Sequence, residues 1–272
     1  MLYTTPIMAS FIHLHTHSHY SLLNALPQIK ELVEAAQNDS MPALALTDSG
    51  NMYGAIDFYK SCVEAGIKPI IGVDAYLASR TRFDKQSGVD SKRYRLVLLA
   101  KNKKGYQDLI KLVTASYLEG FYYKPRIDLD LLRSYTDDLV CISPSFSGDV
   151  ATFLKEDKEA EARERLSWYK DAFGKENVFI EITHHPEIPN HSERMDALKS
   201  FAKDTNTPLV AAHDVYYMKP EDRTTREALM AIQTNRVIGD TDMGEGEDFS
   251  FINQKKAKEY FKDTPEALEN TI

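Results

Sequence analysis

The amino-acid sequence predicts an α/β fold, a (β/α) barrel, on three observations. Seven short apolar runs rich in Val, Ile and Leu recur along the chain, amphipathic stretches of helical period separate most of them, and Gly or Pro marks the junctions. A run that is apolar throughout suits a strand buried on both faces, as in a parallel sheet covered by helices. An open doubly wound sheet is the runner-up. No glycine-rich phosphate loop follows the first run, so nothing supports nucleotide binding of the Rossmann kind.

In chain order, the run Phe11–His15 is followed by a helical pattern at Ile29–Gln37, and Ala43–Thr47 by one at Tyr53–Ala65. Gly66 and Pro69 bracket the entry to the third run, Ile70–Leu77. Leu96–Ala100 leads to a helix at Tyr106–Tyr117, and Leu139–Ser143 to one at Ala160–Phe173 that Gly174 closes. Val178–Thr183, the helix Ser192–Asp204 and Leu209–Ala212 complete the series. A barrel unit over residues 1–219 is therefore expected. Residues 220–272 read as a helical extension: helices at Thr224–Gln233, Lys255–Phe261 and Pro265–Ile272, with an acidic, exposed loop at Gly239–Asp248. The last pattern stops without a C-terminal cap, which suggests a piece of a longer chain. The charged run Lys155–Arg165 reads as a solvated helix face.

Composition narrows the classes. A net charge of −8 and a pI near 5.5 argue against a free-standing nucleic-acid clamp. They leave room for chemistry on phosphate esters, because bound cations invert the local charge of an acidic site. Cys62 and Cys141 are too few for a disulfide framework, no apolar run approaches the roughly 20 residues of a membrane span, and Met1–Ser10 lacks a signal-peptide layout. A soluble, cytoplasmic protein is expected. Cys62 falls in a helical pattern and reads as core rather than nucleophile. Ser143 and Ser145 lack a G-x-S-x-G elbow, so a serine hydrolase finds no support. Phe121, Tyr122 and Tyr123 could stack on bases, but no basic residues interleave with them, so packing onto the barrel is the favoured reading.

Polar residues able to bind metal gather where apolar runs end: His15 and His17, Asp48, Asp74 within the third run, then Glu181, His184 and His185, and His213 and Asp214. Barrel enzymes carry their chemistry at the C-terminal ends of strands, so these groups are expected to converge on one face. The segment FIHLHTHSH is sharper, since a strand period would point His13, His15, His17 and His19 the same way. Imidazoles at that spacing can chelate one borderline ion such as zinc or manganese. The alternative is a hydrogen-bonded core pair with two exposed rings.

At these segments the sequence resembles the PHP (polymerase and histidinol phosphatase) domain of bacterial DNA polymerase III alpha subunits. The stretches FIHLHTHSHYSLLNA, ALTDSGNMYGAIDFYKSCVEAGIKPIIGVDAYLA, RLVLLAKNKKGYQDLIKL, FYYKPRID, VFIEITHH and PLVAAHDVYYMKPED carry the resemblance, in the family's order and over nearly the whole chain. It implies a distorted, seven-stranded TIM-like barrel leading to a polymerase palm. Intact members hold several metal ions and hydrolyse phosphodiesters, in some cases as a 3′–5′ exonuclease. Among the family's ligand positions, His15, His17 and Asp214 match, and Asp74 stands where Glu is usual. The others are replaced, by Asn24, Ser49, Arg95, Ser145 and Tyr216. Hydroxyls and an amide are poor ligands for a divalent ion, and a permanent guanidinium repels one.

The resemblance thus implies a catalytically eroded domain that retains, at His15, His17, Asp74 and Asp214, a vestigial site able to hold at most one zinc or manganese ion weakly. Arg95 is expected to fill the vacated volume and pair with Asp74, Asp214 or both. The implied partners are the palm, an epsilon-type proofreading exonuclease, and DNA reached through the full replicase, with magnesium serving the parent polymerase. An active metal-dependent phosphoesterase, whether proofreading exonuclease or histidinol-phosphate type, is the alternative, and an unrelated metallo-hydrolase a third.

Overall fold

The computed structural model describes residues 11–237 and 247–272. Most of the expected loop at Gly239–Asp248 and the segment Met1–Ser10 lie outside them. Seven strands form one sheet: β1 (Ala43–Leu46), β2 (Lys68–Ala78), β3 (Arg93–Ala100), β4 (Arg126–Ile127), β5 (Leu139–Ser143), β6 (Val178–Ile182) and β7 (Leu209–Ala211). Among the described residues, ten α-helices accompany them: α1 (Ile29–Asn38), α2 (Ala55–Ala65), α3 (Lys103–Leu118), α4 (Leu129–Arg133), α5 (Asp149–Lys155), α6 (Glu159–Phe173), α7 (His191–Asp204), α8 (Arg223–Thr234), α9 (Gln254–Tyr260) and α10 (Pro265–Glu269). Local chemistry sets several of these ends. The Asn102 side chain accepts from the Lys104 and Gly105 amides at the start of α3, and Gly66, at φ +72°, ends α2 in a left-handed conformation.

The sheet order is β1-β2-β3-β5-β6-β7, with β4 parallel to the end of β2. The fold is the expected distorted TIM-like barrel, with two corrections. First, β3 runs antiparallel to both β2 and β5, so the sheet is mixed. An apolar run buried on both faces looks the same in either direction, so its composition does not reveal this. Second, Phe11–His15 is not a regular strand. It bends at Leu14 and His15 and lies between β1 and the chain just after β7. The Ala45 amide donates to His13 O at 2.9 Å, and the His17 amide to Val215 O at 3.0 Å. The segment thereby curls the sheet towards closure.

The core is made of side chains from both sides of this sheet, including Leu44, Leu77, Leu96, Leu98, Cys141 and Ile180, all buried. Cys62, on α2, is buried among them, and burial pushes its thiol up to about 12. The charged run Lys155–Arg165 departs from expectation. It is broken between α5 and α6, and Arg165 turns inward to pair with the fully buried Asp149, which also accepts from Tyr169 Oη at 2.6 Å. The aromatics at 121–123 differ too: Phe121 and Tyr123 are 49% and 67% exposed rather than packed down.

Candidate metal centre at the barrel mouth

The C-terminal ends of β1, β2, β5, β6 and β7 open on one face, and β3 brings its first residues there because it runs the other way. Of the residues expected there, His15, His17, Asp74 and Asp214 meet at this mouth, with Ser49, Arg95, Ser145 and Tyr216 against them. His15 Nδ1 lies 2.8 Å from Glu181 Oε2 and 2.6 Å from Asp214 Oδ1, while its Nε2 lies 3.4 Å from Asp74 Oδ2. One N–H cannot point at two carboxylates, and the hydrogen bond goes to Glu181. Burial alone would lower the His15 pKa, but Asp214 and Glu181 outweigh it and hold the imidazole well above its ordinary value. Asp214 is depressed in turn: its own burial opposes this, and the His15 charge overrides it. His17 sits 3.2 Å from Asp74 Oδ2 with its ring stacked on Tyr216 at 4.3 Å. Burial, reinforced by the neighbouring His15 charge, pushes it down to about 3, so it is neutral.

Two arginines cover Ser49, Asn24 and Tyr216. Arg95 donates through Nε to Asp74 Oδ1 at 2.8 Å, through Nη2 to Asp74 Oδ2, and through Nη2 again to Ser49 Oγ at 2.9 Å. The expected pairing is therefore with Asp74 and not with Asp214. A forked, two-bond contact of this kind is the strongest geometry open to an Arg–carboxylate pair. Arg226, on α8, lies with its guanidinium carbon 3.8 Å from the Tyr216 ring centroid and donates through Nε to Asn24 O at 3.1 Å. It thus engages Asn24 and Tyr216 at once, and it is only 7% exposed. Sequence reasoning missed it because α8 is remote in the chain and an Arg on an amphipathic helix reads as solvated. Ser145 turns to Glu181, its amide and hydroxyl donating to Oε1 at 3.0 and 3.1 Å.

Other singled-out residues serve structure. Asp48 is saturated by the Ser18 amide and hydroxyl and by Ser21 Oγ, at 2.6–2.8 Å. His13 bonds Ile252 O at 2.8 Å, and His19, half-buried, bonds Pro27 O at 3.4 Å, so the four-histidine run splits after all. His184 stacks on Tyr260. His185 and His213 stack on each other behind the mouth, 4.8 Å apart.

The donor sets decide what a metal could find here. Among the described residues, two triads have atoms close enough to share an ion: His15, His17 and Asp74, and His15, Glu181 and Asp214. In the first, the guanidinium of Arg95 already sits on Asp74. In the second, the hydrogen bonds and ion pairs of the described residues set His15 against Glu181 and Asp214 with no guanidinium bonded to either carboxylate, and the triad brings in Glu181. The sequence had placed Glu181 at a strand end without counting it among the ligands.

A family model described as the PHP domain matches residues 13–185. The chain belongs to the PHP domain family. Among curated proteins, this PHP domain is 40% identical over 265 residues to the DNA polymerase III subunit alpha of Borreliella burgdorferi, covering 96% of the chain and 23% of that protein. The corresponding subunit of Treponema pallidum is 37% identical over 266 residues, covering 97% of the chain and 23% of that protein. The chain thus spans about a quarter of the length of these relatives. Among solved structures, a candidate metal-dependent phosphoesterase from Bifidobacterium adolescentis aligns with a TM-score of 0.47 at 9% identity, covering 92% of this PHP domain and 95% of that chain. Among the described residues, no helix is long and apolar enough to cross a membrane.

Proposed function

We propose that this PHP domain is a non-hydrolytic part of a replicative DNA polymerase III alpha chain, acting in the cytoplasm as a structural support for the palm and as a dock for a proofreading exonuclease subunit. The similarity to the alpha subunits supports the setting. The observation that carries the loss of hydrolysis is the pair of guanidinium groups at the mouth. Arg95 neutralises Asp74 and caps Ser49, and Arg226 holds Asn24 and Tyr216. A hydrolase that uses several ions needs several anionic or imidazole ligands a few Å apart, and two fixed cations among them oppose that. The remaining triad of His15, Glu181 and Asp214 suits one zinc or manganese ion at most, which would act there as a local counter-charge. The parent polymerase would use magnesium at its own site.

Incubation of the chain with end-labelled single-stranded DNA and manganese or zinc is expected to release no nucleotides. Turnover that disappears in His15→Ala or Asp214→Ala would overturn the reading. Equilibrium dialysis should find no more than one zinc per chain, and any such binding should vanish in Glu181→Ala.

A further inference from the structure

The outer face of α2 is apolar where water favours polar residues. Ile56, Tyr59 and Val63 stand at helical spacing, and each is more than half exposed. The first two border a cavity of about 660 Å³ at the end of the barrel away from the mouth. The sheet register explains this space. β2 pairs with β1 over Lys68–Ile71, but β3 covers the other side of β2 only from Gly72 onward, because β3 gives way to α3 after Ala100. Pro69, Ile70 and Ile71 are left half-buried as an apolar floor, with Ile56, Tyr59 and Tyr106 as walls.

The lip of the cavity is cationic. Lys68, at the start of β2, and Lys101 and Lys103, at the junction of β3 and α3, all line it. Among the described residues none of the three pairs with a carboxylate. The Lys101 ammonium donates to the Asp137 main-chain carbonyl at 3.5 Å, and nearby Asp138 is taken up by the Asn102 side-chain amide at 2.6 Å. In a chain of net charge −8, three unmatched ammonium groups at one lip form a local positive field that an anion would relieve. The volume falls within the range of about 300–1,000 Å³ of small-molecule sites, which are apolar with a few placed polar groups. Apolar floor and charged lip together call for one ligand chemistry: an alkyl chain that gains by leaving water, ending in an anion that the lysines meet.

We propose that this cavity binds a free anionic amphiphile of the fatty-acid class, its alkyl chain along Ile70, Ile71 and Tyr59 and its carboxylate on Lys68 and Lys103. The site lies at the opposite end of the barrel from the candidate metal centre, and it depends on neither the hydrolytic nor the docking reading of the domain.

The test is isothermal titration calorimetry of the 272-residue chain with decanoate, kept below its micelle concentration. Saturable binding of one decanoate per chain is expected. Each methylene added from octanoate to dodecanoate should tighten it about fourfold. Decanol, which lacks the charge, should bind about tenfold more weakly than decanoate. Lys68→Ala combined with Lys103→Ala should bring decanoate down to the level of decanol, again a loss of about tenfold. Ile56→Asp sets a carboxylate in the apolar wall and should weaken decanoate by about tenfold or more. These side chains are exposed, so the variants keep the fold. Lys199→Ala, on α7, should bind like the parent. No saturable binding, several molecules per chain, or equal affinity for decanol and decanoate would refute the proposal. Co-sedimentation with phosphatidylglycerol vesicles and no response to free decanoate would refute it in favour of a membrane surface. A dimer that Ile56→Asp breaks, again with no response to decanoate, would refute it in favour of a second copy of the chain.

Discussion

Replacing Arg95 by alanine is expected to lower the unfolding free energy by about 3 kcal/mol. Asp74 is 1% exposed, and Arg95 supplies both of its strongest bonds. Once the guanidinium is gone, the carboxylate faces only His17 Nε2 at 3.2 Å and His15 Nε2 at 3.4 Å. Those two rings soften the loss, which is why the estimate sits at the lower end of the range for breaking a buried pair. Denaturant melts at neutral pH measure it, and a change under about 0.5 kcal/mol, the size expected of a surface residue, would show that the pair is not structural. In a double-mutant cycle, Arg95→Ala combined with Asp74→Ala should cost clearly less than the sum of the two. Arg95→His returns a ligand type to the site. Zinc at 100 times its dissociation constant should then stabilise that variant by about 2.7 kcal/mol, and stabilise Arg95→Ala, which lacks the added imidazole, by clearly less at the same concentration.

A loss of similar or greater size is expected at Arg126, which lies at the foot of the aromatic turn. It is fully buried, and its guanidinium is met by main-chain carbonyls: Gly120 O and Asp90 O at 3.0 Å, Arg82 O at 3.0 Å and Asp84 O at 2.8 Å. The close approach is built into the backbone, since a Cβ at Gly120 would fall 1.9 Å from Arg126 O. Arg126→Ala strips the donor from these carbonyls at about 1–3 kcal/mol for each that stays dry. Water entering the space relieves part of this, so a total of about 4 kcal/mol is expected. Arg126→Lys keeps the charge but not the planar fork, and should recover less than half of the loss. Limited proteolysis offers a second measurement: cleavage after Lys85, in the segment that Arg126 ties down, should accelerate in both variants. Stability of Arg126→Ala within about 1 kcal/mol of the parent would show that these carbonyls find other donors.

Much of the barrel was legible because burial on both faces leaves a plain mark. The runs at 43–47, 139–143, 178–183 and 209–212 became strands within a residue or so of their expected ends. The helices at 29–37 and 192–204 were equally clear from their period. Two-residue β4, five-residue α4 and seven-residue α5 were not seen, since such short elements hold too few residues to show a period. His15, His17, Asp74 and Asp214 stood among the polar residues in and after the apolar runs, the resemblance to the PHP domain singled out these four, and all four meet at the mouth.

The fold class, the places of the polar residues near strand ends and membership of the PHP family could be read from the amino-acid order alone, because each depends on the order and spacing of residue types. The direction of β3, the pairing of Arg95 with Asp74 rather than Asp214, the descent of Arg226 from α8 onto Asn24 and Tyr216, and the gathering of Arg93 and Lys124 around Tyr76 came from the three-dimensional packing. Each of these joins residues far apart in the chain through side chains several Å long. Which partner a guanidinium reaches is set by the packing of the elements that carry it, and that geometry has no periodic trace in the order of amino acids.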